Sequence, residues 1–150
     1  MGDDQDNVLT GWSSNDILIG GTGNDYLSGD AGNDTYIYNL GDGQDIIYNY
    51  DRGVGRQDIL QLGEGINADG IWIAKEGQNL KLDFLDDDSS ITIQNWFTSE
   101  HYQLNEIKIG DDQTLGRESI NEIISTMATY DAAQLNQDMM SSMINDSFII

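Results

Sequence analysis

The chain has 150 residues, 27 acidic and 6 basic, with a formal charge of −21. A charge of that sign repels phosphate backbones and anionic lipid and attracts cations, so nucleic acid is excluded as an expected partner. With no cysteine there is no disulfide framework, thiolate nucleophile or Cys-zinc site, and no apolar run approaches the ~18 residues that suggest a spanning helix.

The N-terminal stretch MGDDQDNVLTG has neither the basic start nor the apolar segment of a cleaved signal peptide. From Gly2 the chain falls into nines: GDDQDNVLT (2–10), GWSSNDILI (11–19), GGTGNDYLS (20–28) and GDAGNDTYI (29–37). After a slip of two residues comes LGDGQDIIY (40–48), and after the insert NYDR a degraded GVGRQDILQ (53–61). The first six positions of each unit are Gly, Asn, Asp and small polar residues, which predict a turn. The last three include Leu9, Leu18, Leu27, Tyr36, Ile47 and Leu60 at the eighth position, which predicts a short strand with one inward side chain. Such a strand cannot bury itself, so the units gain stability only by stacking on copies of themselves. Two units make one coil, placing unit n beside unit n+2 and the sixth-position carboxylates in two columns. Stacked carboxylates repel unless a cation lies between them, and a metal ion is the natural staple for a chain without cysteine.

On these residues the repeats resemble the RTX repeats of haemolysin-type calcium-binding proteins, with their Gly-Gly-x-Gly-x-Asp-x-apolar-x signature; residues 20–28 match it at every defined position. The resemblance implies an all-β fold: a parallel β-roll over 1–61, an antiparallel β cap over 62–116 and a C-terminal helix and tail over 117–150. It also implies Ca²⁺ held between turns n and n+2 by main-chain carbonyls and paired Asp side chains, the oxygen-only set that a hard cation prefers. Carried onto this chain, one site uses Trp12, Ser14 and Asp16 with Gly29, Ala31 and Asp34. A second uses Gly21, Gly23 and Asp25 with Asp42 and Asp45, Leu40 standing at the first position. A weaker third joins Asp3, Gln5 and Asn7 to Gly20, Thr22 and Asp25, because Asn7 replaces Asp and Gln5 replaces Gly. A weaker fourth would join Asp30, Gly32 and Asp34 to Gly53, Gly55 and Asp58 across the NYDR insert. About three calcium sites are expected, within a range of two to four.

Beyond residue 61, alternation over IWIA, NLKLDFL and SITIQNWF, broken by KEGQ and DDDSS, predicts an antiparallel meander, and NEIKIGDDQTL another hairpin. This segment resembles the region that follows RTX repeats in secreted proteins, and an open end of a stack needs covering. Trp72, Trp96 and Phe97 read as its core; the alternative is a carbohydrate-binding or adhesive face with Trp72 and Trp96 exposed. His101 has no nucleophile in an evident local motif, and no pair of carboxylates is singled out for acid-base work. Catalysis is therefore not expected, with a catalytic or toxin domain upstream in the parent chain left open.

In the last segment Ser119 and Glu122 form a capping-box pattern, and Ile120, Ile123, Ile124, Met127 and Tyr130 recur at helical spacing. After Asp131 the apolar face loses phase and the chain ends on DSFII, which resembles the uncleaved signal of type I secretion substrates. The resemblance implies a secreted, extracellular or cell-surface protein of a Gram-negative bacterium, taken unfolded through a type I exporter and folding on extracellular calcium. A monomer is expected. Met1 followed at once by a degenerate repeat suggests a piece of a longer chain, with upstream domains as partners, and an accessory module of an extracellular enzyme is a further alternative.

Overall fold

Each repeat unit ends in a strand: β1 (Val8–Thr10), β2 (Ile17–Ile19), β3 (Tyr26–Ser28), β4 (Thr35–Tyr38), β5 (Gln44–Ile47) and β6 (Ile59–Leu62). The computed structural model describes residues 1–85, 88–110, 113–130 and 135–147. Odd and even strands go to different sheets. β1, β3 and β5 pair in parallel, with Val8 opposite Tyr26 and Tyr26 opposite Ile46; β2, β4 and β6 do likewise, with Ile17 opposite Thr35 and Thr35 opposite Ile59. Unit n therefore lies on unit n+2. The eighth-position residues Leu18, Leu27, Tyr36, Ile47 and Leu60 are all buried, and Leu9 packs against them.

The following strands do not form a separate layer. β7 (Ile71–Glu76), β8 (Asn79–Phe84) and β9 (Ser90–Ile93) make the expected antiparallel meander, but β9 also pairs in parallel with β5. β10 (Glu106–Ile109) forms a hairpin with β11 (Gln113–Gly116) and pairs in parallel with β6. The two sheets thus run in the orders β1-β3-β5-β9-β8-β7 and β11-β10-β6-β4-β2. Both are mixed. The reason is that β5 and β6 would otherwise present unpaired main-chain groups at a sheet edge. One buried apolar cluster runs from Leu18 through Ile71, Leu82, Ile93, Trp96 and Ile107 to Ile144.

Among the described residues two α-helices complete the fold. α1 (Arg117–Met127) buries Ile120 and Ile123, but it begins at an N-cap of Gly116 with no side-chain cap. The expected capping box is not used: Ser119 and Glu122 lie inside the helix, because β11 delivers the chain straight into its first turn. The C-terminal segment also holds a second helix beyond the one that the spacing predicts. α2 (Gln137–Asn145) is capped by Asn136, whose side chain accepts from Met139 N, and Met140 and Ile144 are fully buried against β7 and the 3₁₀ turn Ala68–Gly70. Met140, Met143 and Ile144 recur at the spacing that gives a helix one apolar stripe. Most of the terminal DSFII, residues 148–150, lies outside the described residues. Trp96 has no exposed surface and donates through Nε1 to Asn121 at 2.7 Å, while Trp72 is partly buried against the core.

Candidate metal centre

The site is made by the turns between strands. Positive φ angles fall on the second and fourth residues of units two to five: Trp12 at 76°, Ser14 at 81°, Gly21, Gly23, Asp30 at 63°, Gly32, Gly41 and Gly43. A side chain in this region is strained, which is why glycine prevails. Trp12 and Ser14 are held there by stacking, as the neighbouring turns show: Ala31 N donates to the Trp12 carbonyl at 3.1 Å, and a Cβ on Gly32 would overlap the Ser14 carbonyl.

Two ladders of side chains lock turn to turn. The main-chain N–H groups of Asn7, Asp16, Asp25 and Asp34 donate to Oδ1 of Asp25, Asp34, Asp45 and Asp58, at 2.8, 3.0, 2.9 and 2.9 Å. In the opposite direction, the N–H groups of Asn24, Asn33, Gln44 and Gln57 donate to the side-chain oxygens of Asp6, Asn15, Asn24 and Asn33, at 2.8, 2.9, 2.9 and 2.8 Å. The fifth-position ladder was not legible as a function of those residues, although near-invariant Asn or Gln at that place was its signal.

One oxygen of Asp25, Asp34, Asp45 and Asp58 is used in this way. Oδ2 of Asp16, Asp25 and Asp34 is buried with no hydrogen-bond partner. Each lies so close over the first glycine of its own unit, Gly11, Gly20 or Gly29, that a Cβ there would overlap it. Burial pushes the Asp34 carboxyl up to about 6 and the Asp45 carboxyl up to about 7, with neighbouring carboxylates adding to both; burial also raises Asp25 and Asp42. A buried, unpaired, mutually repelling set of carboxylates costs the fold free energy unless a cation joins it.

The sequence-predicted ligands fall as follows. Trp12, Ser14 and Asp16 lie against Gly29, Ala31 and Asp34, as the contacts above require. Gly23 lies against Gly43, and Asp25 against Asp45; the Asp42 side chain accepts from Asn39 N within its own turn, at 2.8 Å. In the third group, the carbonyls of Asp3 and Gln5 abut Gly21 and Gly23, and that of Gly20 abuts Gly2. There, however, Asn7 Oδ1 accepts from Asp3 N at 2.8 Å, and neither Asp3 nor Gln5 has the positive φ of the other turns. The fourth group does not assemble as expected. Gly55 has open space around it, Val54 is fully exposed, and Gly32 N donates to Asp51 at 3.3 Å. Asp58 is taken by Arg56 and Asn49.

Among the described residues no cluster of three or more His, Cys, Asp or Glu side chains forms; the oxygens that the turns bring to one another are main-chain carbonyls packed on the glycines of the next turn and pairs of aspartates. That is an oxygen-only set suited to Ca²⁺ rather than to softer metals, and the three partnerless Oδ2 atoms give an ion something to satisfy. A family model for the RTX calcium-binding nonapeptide repeat, in four copies, matches residues 1–36 and 13–47. The chain is also similar to the iron-regulated protein FrpA of Neisseria meningitidis serogroup C, at 38% identity over 93 residues, which are 60% of this chain and 8% of that protein. The chain therefore spans less than a tenth of that relative's length.

Proposed function

We propose, since residues 1–47 carry RTX calcium-binding nonapeptide repeats, that the chain is a calcium-triggered folding module of a secreted protein, its repeats stacked as a parallel β-roll. The observation that carries this reading is the row of buried, partnerless Oδ2 atoms on Asp16, Asp25 and Asp34. Asp16 and Asp34, with the carbonyls of Trp12, Ser14, Gly29 and Ala31, hold one ion. Asp25 and Asp45 hold a second with the carbonyls of Gly21, Gly23, Leu40 and Asp42. Asp25 and Asn7 hold a weaker third with those of Asp3, Gln5, Gly20 and Thr22.

Where calcium is scarce, a charge of −21 and 17 glycines keep the repeats unfolded, in a form that a type I exporter of a Gram-negative cell can pass through its C-terminal segment. Outside, ligand binding becomes folding free energy because the sites do not exist in the unfolded chain. Extracellular calcium modules bind at about 10⁻⁴ to 10⁻³ M, and a site filled at about ten times its Kd adds only about 1.4 kcal/mol. Several sites must therefore act together, which stacking allows. The module serves a longer protein, whose own activity lies in other domains.

Circular dichroism of the chain in chelator, then in rising Ca²⁺ or Mg²⁺, tests the reading. Ca²⁺ is expected to induce β-structure cooperatively, and equal Mg²⁺ is not, because the smaller ion keeps its water and demands tight octahedral geometry. An equal response to both ions overturns it.

A further inference from the structure

The sixth turn departs from the second, third and fourth in how the second oxygen of its aspartate is satisfied. Asp16, Asp25 and Asp34 leave Oδ2 buried without a partner, whereas the matching Oδ2 of Asp58 is filled twice. Arg56 Nη1 donates to it in an ion pair whose two side chains are both buried, and Asn49 Nδ2 donates to it at 2.9 Å. Arg56 is anchored further by donation from Nη2 to the Glu100 carbonyl at 2.7 Å, and Asn49 through its Oδ1, which accepts from the Tyr36 hydroxyl at 2.6 Å. No Lys or Arg precedes Arg52 in the chain, so Arg56 is the first base able to meet the aspartate columns from within a repeat.

Its position in the unit explains how it reaches. Arg56 is the fourth residue of 53–61, the place held by Ser14, Gly23, Gly32 and Gly43 in the preceding units. Those four have positive φ; Arg56 does not, and the left-handed residue is Gly55. The turn is thus rebuilt so that the side chain of its fourth residue reaches the aspartate of its own unit. The NYDR insert supplies the rest, since it contains both Asn49 and Asp51, and Asp51 accepts from Gly32 N and Gly53 N. Asp34 N still donates to Asp58 Oδ1 at 2.9 Å, so the stacking register survives.

We propose that Arg56 is the resident cation of the Asp34–Asp58 turn, standing where the register of the repeat would otherwise admit calcium, so that this step of the stack closes without metal. The inference rests on the calcium reading given above. A guanidinium is permanently charged and offers several donors in a fixed plane, enough to satisfy a carboxylate and a carbonyl together. Removing it leaves Asp58 buried and charged, a state that another cation relieves.

The test is a count of calcium ions per chain, by equilibrium dialysis against radiolabelled Ca²⁺, on the full chain and on Arg56→Gln, Arg56→Lys and Arg56→Gln/Asp58→Asn. The expected result is one ion more for Arg56→Gln than for the parent, and an unchanged count for Arg56→Lys and for the double variant. If Arg56→Gln folds in calcium and binds no more ions than the parent, the pair is an ordinary salt bridge and the proposal fails. It fails also if Arg56→Gln stays unfolded at saturating calcium, because calcium then does not replace the guanidinium. A parent chain that binds no calcium overturns the underlying reading itself, an outcome distinct from an equal count in parent and variant.

Discussion

Aspartates at the sixth position differ in how many neighbours they serve. Asp25 accepts from Asn7 N and donates through its own N–H to Asp45, so it belongs to two proposed sites. Asp16 faces Asp34 alone. Asp25→Ala is therefore expected to shift the calcium midpoint of folding furthest, with Asp16→Ala and Asp45→Ala shifting it less, in titrations at matched ionic strength. Equal shifts for Asp16 and Asp25 would mean isolated loops instead of stacked pairs. The pH dependence follows from the raised carboxyls. Asp34 at about 6 and Asp45 at about 7 stand above their ordinary 3.8, so between those limits the calcium-free fold holds more protons than the unfolded chain. Its stability rises as pH falls through about 7 toward about 4 and is lost above about 7. Calcium must displace those protons, so its folding midpoint is expected at higher calcium near about pH 5 than near about pH 8; an unchanged midpoint in a pH series of dichroism titrations contradicts this.

Among the elements, α2 is the one whose removal distinguishes signal from scaffold. Its Met140 and Ile144 are fully buried against β7 and the turn Ala68–Gly70, so the C-terminal segment is part of the core as well as the proposed export signal. Met140→Ala or Ile144→Ala is expected to cost about 2–5 kcal/mol in denaturant unfolding of the calcium-loaded chain. Deleting residues 132–150 is expected both to abolish type I export and to lower that stability. If the deletion leaves stability unchanged, the helix contributes no packing; if export persists, the signal lies elsewhere.

For the molecule as a whole, the decisive feature is that β9 and β10 extend the very sheets that the repeats begin. A core continuous from Leu18 to Ile144 argues for one cooperative unit. In a chain carrying Trp12→Phe and Trp72→Phe, the blue shift of Trp96 emission and the gain of β dichroism are expected to coincide along a calcium titration. Separated midpoints would reveal two folding units.

The nine-residue period, the turn-forming Gly and Asp, and the inward eighth-position residue were all legible in the sequence, because each depends on neighbours within one unit. The pairing of unit n with n+2 was legible too, since a strand of three residues has no other way to bury its side chain. What tertiary structure alone decided were matters of long-range contact. Whether Ser119 caps a helix depended on where β11 ended; whether the tail folds depended on a groove beside β7 for Met140 and Ile144. The NYDR insert read as a break in the repeat, yet it carries Asn49 and Asp51 into the turns. Asp58 matched the repeat as well as Asp34 did, and only the folded chain placed Arg56 on it. Local spacing specifies a ligand's position along the chain, but which partner reaches its last lone pair is settled by the contacts that folding brings together.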